Sequence, residues 1–353
     1  MTVLTRRALN RALLHRQLLL RRWQLTPAKA IERLVGLQAQ ATNPPYVALW
    51  TRLDSFRREQ PTRLLTDRKV VRLALMRSTL HMVTADDCLA LRPVLQPMLE
   101  AAYTRSVYGR ENLDLAEIAK VARELVEAEP LTNADLGRVL AERWPGKDVT
   151  ALVQAVRATL AIVQLPPRGL WGVGGQPTGT TAEAWLGRPF APMSPDELVR
   201  RYLAAFGPAS VADAQQWSGL TRLREVFDRL ALKTFTDENG VQLFDLPDAR
   251  RPHPDTPAPV RFLPEFDNSL LSHADRTRII ATEHKRHVFT NNGLIRGTVL
   301  VDGFVSATWK LGPDALTVTP LRALPDDVEA EAHRLAAFAD AAVPIRVVAE
   351  PAT

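Results

Sequence analysis

The chain reads as an α+β protein, mainly helical, with three tandem winged-helix motifs followed by a C-terminal antiparallel β-domain. Three observations predict this. Amphipathic helical runs recur through the first 259 residues and are punctuated by short β-rich or Gly-rich segments. Pro-rich stretches separate these units. From Val260 onward the texture shifts to alternating strands joined by Asn292-Gly293 and Asp302-Gly303, the strongest short-range hairpin signals. The divisions this gives are 1–113, 114–188, 189–259 and 260–353.

In order, Leu4 to Trp23 has a leucine stripe with Arg6, Arg7, Arg11, Arg16, Arg21 and Arg22 off it, a face for phosphates or for solvent. Thr26-Pro27 starts a second helix, with Thr as cap and Pro in the first turn. This helix is expected to run to about Leu37 and to deliver Gln38 and Gln40 near its end. After Pro44-Pro45 a third helix spans Tyr46 to about Arg57, and Lys69 to Thr84 alternates as two short strands around a turn. Asp86 to Tyr108 is helical, interrupted at Pro93 and Pro97.

The second unit has helices over Leu115 to Ala128, from Leu131, and over Val149 to Leu165, then a two-stranded wing over Pro166 to Gly175. The third has helices over Pro195 to Phe206, after Ser210, and over Leu223 to Leu230, with Gly219 as a turn. Glu238-Asn239-Gly240 then turns a hairpin within Phe235 to Leu246. The last part carries a strand over Val260 to Asp267, strands over His284–Thr290, Leu294–Val301 and Phe304–Leu311, a helix over Asp326–Ala339 and a strand over Ile345–Ala349.

At 353 residues, 46% hydrophobic and 24% charged, the composition is that of a globular protein with several cores. No run of 18 apolar residues marks a membrane span, and MTVLTRRALNRALLHRQLLL lacks a signal-peptide h-region, so a cytoplasmic location is expected. The single cysteine, Cys88, excludes an internal disulfide and a cysteine zinc site, and no His-x-x-x-His pair occurs. Neither metal nor cofactor is expected. The net charge of +6 suits a polyanion such as DNA, although seven lysines against 38 arginines also fit a GC-rich genome.

The chemistry centres on Leu34 to Trp50, LVGLQAQATNPPYVALW. Glutamine is a poor core residue unless its amide is fully satisfied. Two of them, Gln38 and Gln40, hemmed by Leu37, Ala39 and Ala41, suggest neutral amides held for a polar ligand; the alternative is a pair facing water. Arg77 and His81 are expected on the sheet beside them, with a structural histidine as the other reading of His81.

LVGLQAQ, PPYVALWTRL, LMRSTLHMV, FGPASVADAQQWSGL, FLPEFDNSLL and GTVLVDGFVSATWKL, in this order over nearly the whole chain, resemble the AlkZ-like winged-helix DNA glycosylases. The resemblance implies a C-shaped clamp on double-stranded DNA and a monofunctional glycosylase for alkylated purines, acting as a monomer. Gln38-Ala39-Gln40 matches the family's Gln-x-Gln subtype, linked to self-resistance against DNA-alkylating natural products, and makes Gln38 and Gln40 the catalytic residues. No lysine adjoins the motif, so no lyase step is expected. Arg77, His81, Lys285, Arg286, His287, Asn292 and Arg296 are the candidate DNA contacts, with the turn at Asn292-Gly293 or that at Asp302-Gly303 as a minor-groove probe. Two other classes compete: a non-catalytic winged-helix regulator, and a damage-binding protein that shields a lesion.

Overall fold

The computed structural model describes residues 2–348. Its helices and strands gather around three sheets. The strands are β1 (Val3–Leu4), β2 (Leu37–Gln38), β3 (Val70–Ala74), β4 (Leu80–Thr84), β5 (Leu131–Thr132), β6 (Ile162–Gln164), β7 (Thr178–Thr181), β8 (Lys233–Asp237), β9 (Gln242–Asp245), β10 (Arg261–Leu263), β11 (Gly297–Val301), β12 (Phe304–Leu311), β13 (Leu316–Pro320) and β14 (Ile345–Val347). One sheet has the order β2-β4-β3-β6-β7-β5, a second β1-β8-β9, and the third β10-β11-β12-β13-β14. The first joins the strands of the first two expected units through a single pairing, Arg72 opposite Gln164.

Several helix ends differ from the sequence reading, each for a physical reason. The helix before the glutamines ends at Arg33. Val35 and Gly36 take positive φ, and the Gly36 and Val35 amides donate back to Ile31 and Glu32, a Schellman stop. A Cβ on Gly36 would lie 2.6 Å from Val83 Cγ1, so the turn also needs glycine for space. Gln38 therefore stands on a strand, not on a helix end. Pro93 and Pro97 do not interrupt their helix, which runs unbroken over Ala85–Arg105. Its buried face of Cys88, Leu91, Leu95, Met98 and Leu99 outweighs the hydrogen bonds the prolines forgo.

The helix expected to reach Leu165 stops at Thr159, and the β-branched Ile162 and Val163 enter β6. Pro166 to Gly175 forms turns between β6 and β7, because two prolines cannot donate to a ladder. His284 to Thr290 is helical over Thr282–His284 and Lys285–Val288, since four polar residues in a row offer no apolar strand face. An isolated bridge, Phe289 to Ile295, still closes a tight turn over Thr290–Leu294. Leu115–Ala128 and Pro195–Phe206 match the reading residue for residue, and Ser210 caps Val211–Ser218 with a full capping box. In the last strand, Ala349 lies outside the described residues.

The N-terminal helix, Arg6–Arg16, is a strap across the molecule. β1 pairs in parallel with β8, and the helix packs on Pro195–Phe206. Three of its four arginines bond to carboxylates. Arg16 forms a two-point ion pair with Asp245 at 2.8 Å, and Arg7 and Arg11 grip Asp302. Asn10 donates to the Gly303 carbonyl at 2.7 Å, so the Asp302-Gly303 turn is docked against this helix.

A second buried pair ties the C-terminal sheet to the helix after the glutamine motif. Both Arg52 nitrogens meet Asp267 at 2.9 Å with neither side chain exposed. Removing one partner strands a buried charge. Asp267→Ala is expected to lower unfolding stability by about 3–5 kcal/mol, read as a fall in the urea midpoint; an unchanged midpoint would show that the pair carries no load.

Candidate active site

The glutamine motif lies at one edge of the six-stranded sheet. Leu37 pairs with Met82 and Gln38 with His81, and the Ala39 amide donates to the Leu80 carbonyl at 2.7 Å. Residues directly opposite in an antiparallel pair share a face, so Gln38, His81 and Leu73 project together. The short strand is fixed at both ends by side chains from elsewhere. Asn268 donates to the Gly36 carbonyl and Arg72 to the Ala39 carbonyl, each at 2.7 Å. Ile31, Leu34, Leu37, Ala39, Ala48, Leu49 and Met82 pack as an apolar layer beneath it.

The two amides differ in setting. Gln38 is 7% exposed, and its Oε1 accepts from Arg77 Nη2 at 2.9 Å. Gln40 is exposed, with Oε1 accepting from the Leu80 amide at a long 3.4 Å. Sequence reasoning thus brought the right neighbours together, but it did not foresee that one amide is fixed and the other is open.

Arg77 lies in the turn between β3 and β4, where it and Ser78 both adopt left-handed backbone, φ 56° and 59°. Such strained residues concentrate at functional sites. Arg77 Nη1 donates to the Trp217 carbonyl at 2.8 Å while Nη2 holds Gln38. Its guanidinium is committed inward, which is not the outward pose of a phosphate contact. Burial, helped by nearby Arg276, lowers its pKa to about 10, so it stays cationic at neutral pH. Arg276, which sequence reasoning missed, stands over the Phe289 ring at 4.5 Å. It falls within Ala274-Asp275-Arg276, a motif shared with the resembled family, but nothing in the sequence assigned it a place beside Arg77.

His81 is fully buried. Its Nδ1 lies 2.9 Å from the Thr79 carbonyl, which accepts and so fixes the proton on Nδ1. Nε2 is buried without a hydrogen-bond partner. His81 shapes the sheet beneath Gln38 and has no surface from which to touch DNA. Lys285, Arg286 and His287 lie on one helical turn, and Arg286 Nε donates to His287 Nε2 at 3.0 Å. Asn292 lies within the exposed turn and Arg296 follows it; the turn ends at Leu294, 37% exposed. Asn292 Oδ1 accepts from the Leu294 amide at 3.3 Å. Among the described residues no group of His, Cys, Asp or Glu is placed to hold a metal ion, and no helix is long and apolar enough to cross a membrane.

The site thus has Gln38 on a strand and Gln40 just past it, with Arg77 behind Gln38, within a helix-rich α+β frame. The family model for AlkZ-like DNA glycosylases matches residues 31–338, and the chain belongs to that family. It is 27% identical over 369 residues to an interstrand DNA cross-link repair glycosylase of Streptomyces sahachiroi, covering 95% of this chain and 97% of that protein. The solved structure of the Streptomyces sahachiroi DNA glycosylase AlkZ superposes with a TM-score of 0.80 at 22% identity, covering 99% of this chain and all of that one, a likeness of fold.

Burial, and after it Arg77, depresses the His81 pKa from its ordinary 6.5 to about 3. Between those values the unfolded chain holds a proton that the native state refuses, so stability falls as pH drops from about 6.5 towards 3. His81→Gln is expected to flatten the stability-against-pH line by about 1.4 kcal/mol per pH unit between about pH 6 and 4, measured by urea denaturation; an identical slope would show that His81 titrates normally.

Proposed function

We propose that the chain is a monofunctional DNA glycosylase for N7-alkylated purines, above all bulky or cross-linked adducts of a DNA-alkylating natural product. The observation that carries this reading is the amide pair itself, with Gln38 fixed by Arg77 and Gln40 open at the sheet edge. An N7-alkylated purine is already cationic. When its C1′–N9 bond breaks, the electron pair neutralises the base, so no strong acid is needed to expel it. Water must then bond to C1′ as positive charge develops on the sugar. A neutral amide oxygen orients that water and faces the growing charge, and positioning of this kind contributes several kcal/mol.

Arg77 is a positioning residue in this scheme. Its cationic donor fixes the carboxamide plane of Gln38, leaving the second lone pair of Oε1 and the amino group for water and substrate. Gln40, more loosely held, adapts to the adduct. The name of the Streptomyces sahachiroi relative supports cross-link repair as the biological role. The Gln-x-Gln subtype supports self-resistance to an alkylating natural product in the cytoplasm, with base hydrolysis and no lyase step.

In the same reading the segments 1–113, 114–188 and 189–259 are three winged helices and 260–353 is the C-terminal β-domain. Together they would form a C-shaped clamp that closes as a monomer on duplex DNA. The exposed Thr290–Leu294 turn is the minor-groove probe. Between the two candidate turns, the docking of Asp302-Gly303 against Asn10 favours this one. Lys285, Arg286, His287, Asn292 and Arg296 would line the DNA path beside it.

The test is a duplex with one N7-methylguanine or one bulky N7 adduct, incubated with enzyme and then cleaved with alkali. Wild type is expected to give scission on at least one of the two, and Gln38→Ala/Gln40→Ala none. Arg77→Ala removes one charge-assisted bond worth about 1.5–3 kcal/mol, so its single-turnover rate is expected to fall roughly 10- to 150-fold with duplex affinity nearly unchanged. Wild type that binds both lesions without abasic product would replace the glycosylase with a damage-binding protein.

A further inference from the structure

Arg157 has no counter-charge. It lies on the helix Val149–Thr159, half-buried, and among the described residues it makes no ion pair or hydrogen bond. Burial alone lowers its pKa, with no carboxylate acting on it. Holding a partly desolvated guanidinium unpaired is costly. Other enclosed arginines do have polar partners, Arg16 with Asp245, Arg52 with Asp267, and Arg92, which donates to the Ala158 and Leu160 carbonyls, while Arg276 has the Phe289 ring beneath it.

Arg157 lines a small cavity with Arg92, Asn133, Gln164, Thr178 and Leu80. No acidic side chain lines the cavity, and of its two arginines Arg92 is bonded to Gln96 and to the Ala158 and Leu160 carbonyls, which leaves Arg157 as the uncommitted cation. Gln164 Oε1 is buried without a partner; a half-turn of that amide presents its amino group to the cavity instead. The cavity also abuts the catalytic edge. Leu80 is part of its wall, and the Leu80 amide is the group that holds Gln40. Ala74, also in the wall, pairs with Leu80 across β3 and β4. The Ala74 and Leu80 side chains alternate with Leu73 and His81 along the two strands, so this wall of the cavity lies next to the strand edge that carries the amide pair.

We propose that this cavity binds a DNA backbone phosphodiester close to the lesion, with Arg157 as the principal donor. An unpaired arginine with neutral donors around it is what a phosphate needs: a forked cation and few competing acceptors. A duplex presented to the sheet edge at Gln40 would lay its backbone here, so the contact fixes the register of the lesion against the amide pair. The inference rests on DNA being the ligand, as the glycosylase reading requires.

Binding of an undamaged duplex, followed by fluorescence anisotropy across about 50–200 mM salt, tests this. Losing one phosphate contact reduces the slope of log affinity against log salt by about 0.9. Arg157→Gln is expected to show that loss. Asn133→Asp, an exposed change at a helix start that puts a carboxylate on the cavity rim, is expected to lose slope too. On a second duplex that carries one N7-alkylguanine, a single methylphosphonate near the lesion is expected to weaken wild-type binding at one position, and Arg157→Gln is expected to ignore that position. Salt-dependent wild-type binding that neither substitution alters, with the same methylphosphonate profile, would overturn the phosphate cavity alone. Wild type that binds no duplex would overturn the DNA reading with it.

Discussion

The site depends on the placing of a strand two residues long. A strand this short cannot hold itself, since its own ladder supplies few hydrogen bonds and it buries little more than Leu37. It is held because the backbone on either side is claimed by side chains far away in sequence. Asn268, from the loop after β10, takes the Gly36 carbonyl, and Arg72, from β3, takes the Ala39 carbonyl. Asp267, one residue before Asn268, anchors Arg52 on the helix that follows the motif. The C-terminal sheet therefore does more than extend the protein. Through two adjacent residues it sets the height and tilt of the glutamine strand, which couples the geometry of the chemistry to the packing of the whole chain.

The arginines show why net charge is a poor guide here. A basic N-terminal helix in a protein of charge +6 invites a phosphate-binding reading. Yet Arg7, Arg11 and Arg16 are spent on Asp302 and Asp245, and Arg22 on Glu331. These contacts span more than 200 residues of sequence and fasten the first helix to the last parts of the chain. Guanidinium groups suit this task, because their fork meets a carboxylate at two points and also reaches backbone carbonyls. The arginines that matter for a ligand are those left without such partners, and pairing is a property of the fold that composition does not carry.

Much of the architecture was nonetheless legible. Capped amphipathic helices such as Leu115–Ala128 and Pro195–Phe206 appear where their periodicity placed them, because both ends carry local signals. The Asp302-Gly303 hairpin appears for the same reason. Misreadings occur where tertiary packing overrode local preference. Apolar runs were read as helix where β-branched Ile162 and Val163 went to an interior strand of a sheet, and prolines were read as breaks in a helix whose buried face kept it whole. For the site, residue type and spacing singled out Gln38, Gln40, Arg77 and His81. What no spacing shows is direction: Arg77 turns inward to Gln38, and His81 is sealed beneath it.

That inward turn bears on why the motif uses amides. A carboxylate at position 38 would form a direct ion pair with Arg77, an enclosed guanidinium already bonded to the Trp217 carbonyl. Both carboxylate oxygens would then be drawn to the cation, and in the proposed reaction little would remain to face a developing charge on the sugar. The neutral amide accepts one bond from Arg77 and keeps its other lone pair and its amino group. It is oriented without being neutralised. Arg77 and Gln38 make sense only together: the arginine supplies rigidity, and the amide keeps that rigidity from becoming an ion pair that would use up the site. Position 40 has no such cation bonded to it, and its amide answers to a single long contact from Leu80. The strain stored in the left-handed backbone of Arg77 and Ser78 is consistent with this division, since it is spent on aiming a donor at Gln38 and not at Gln40.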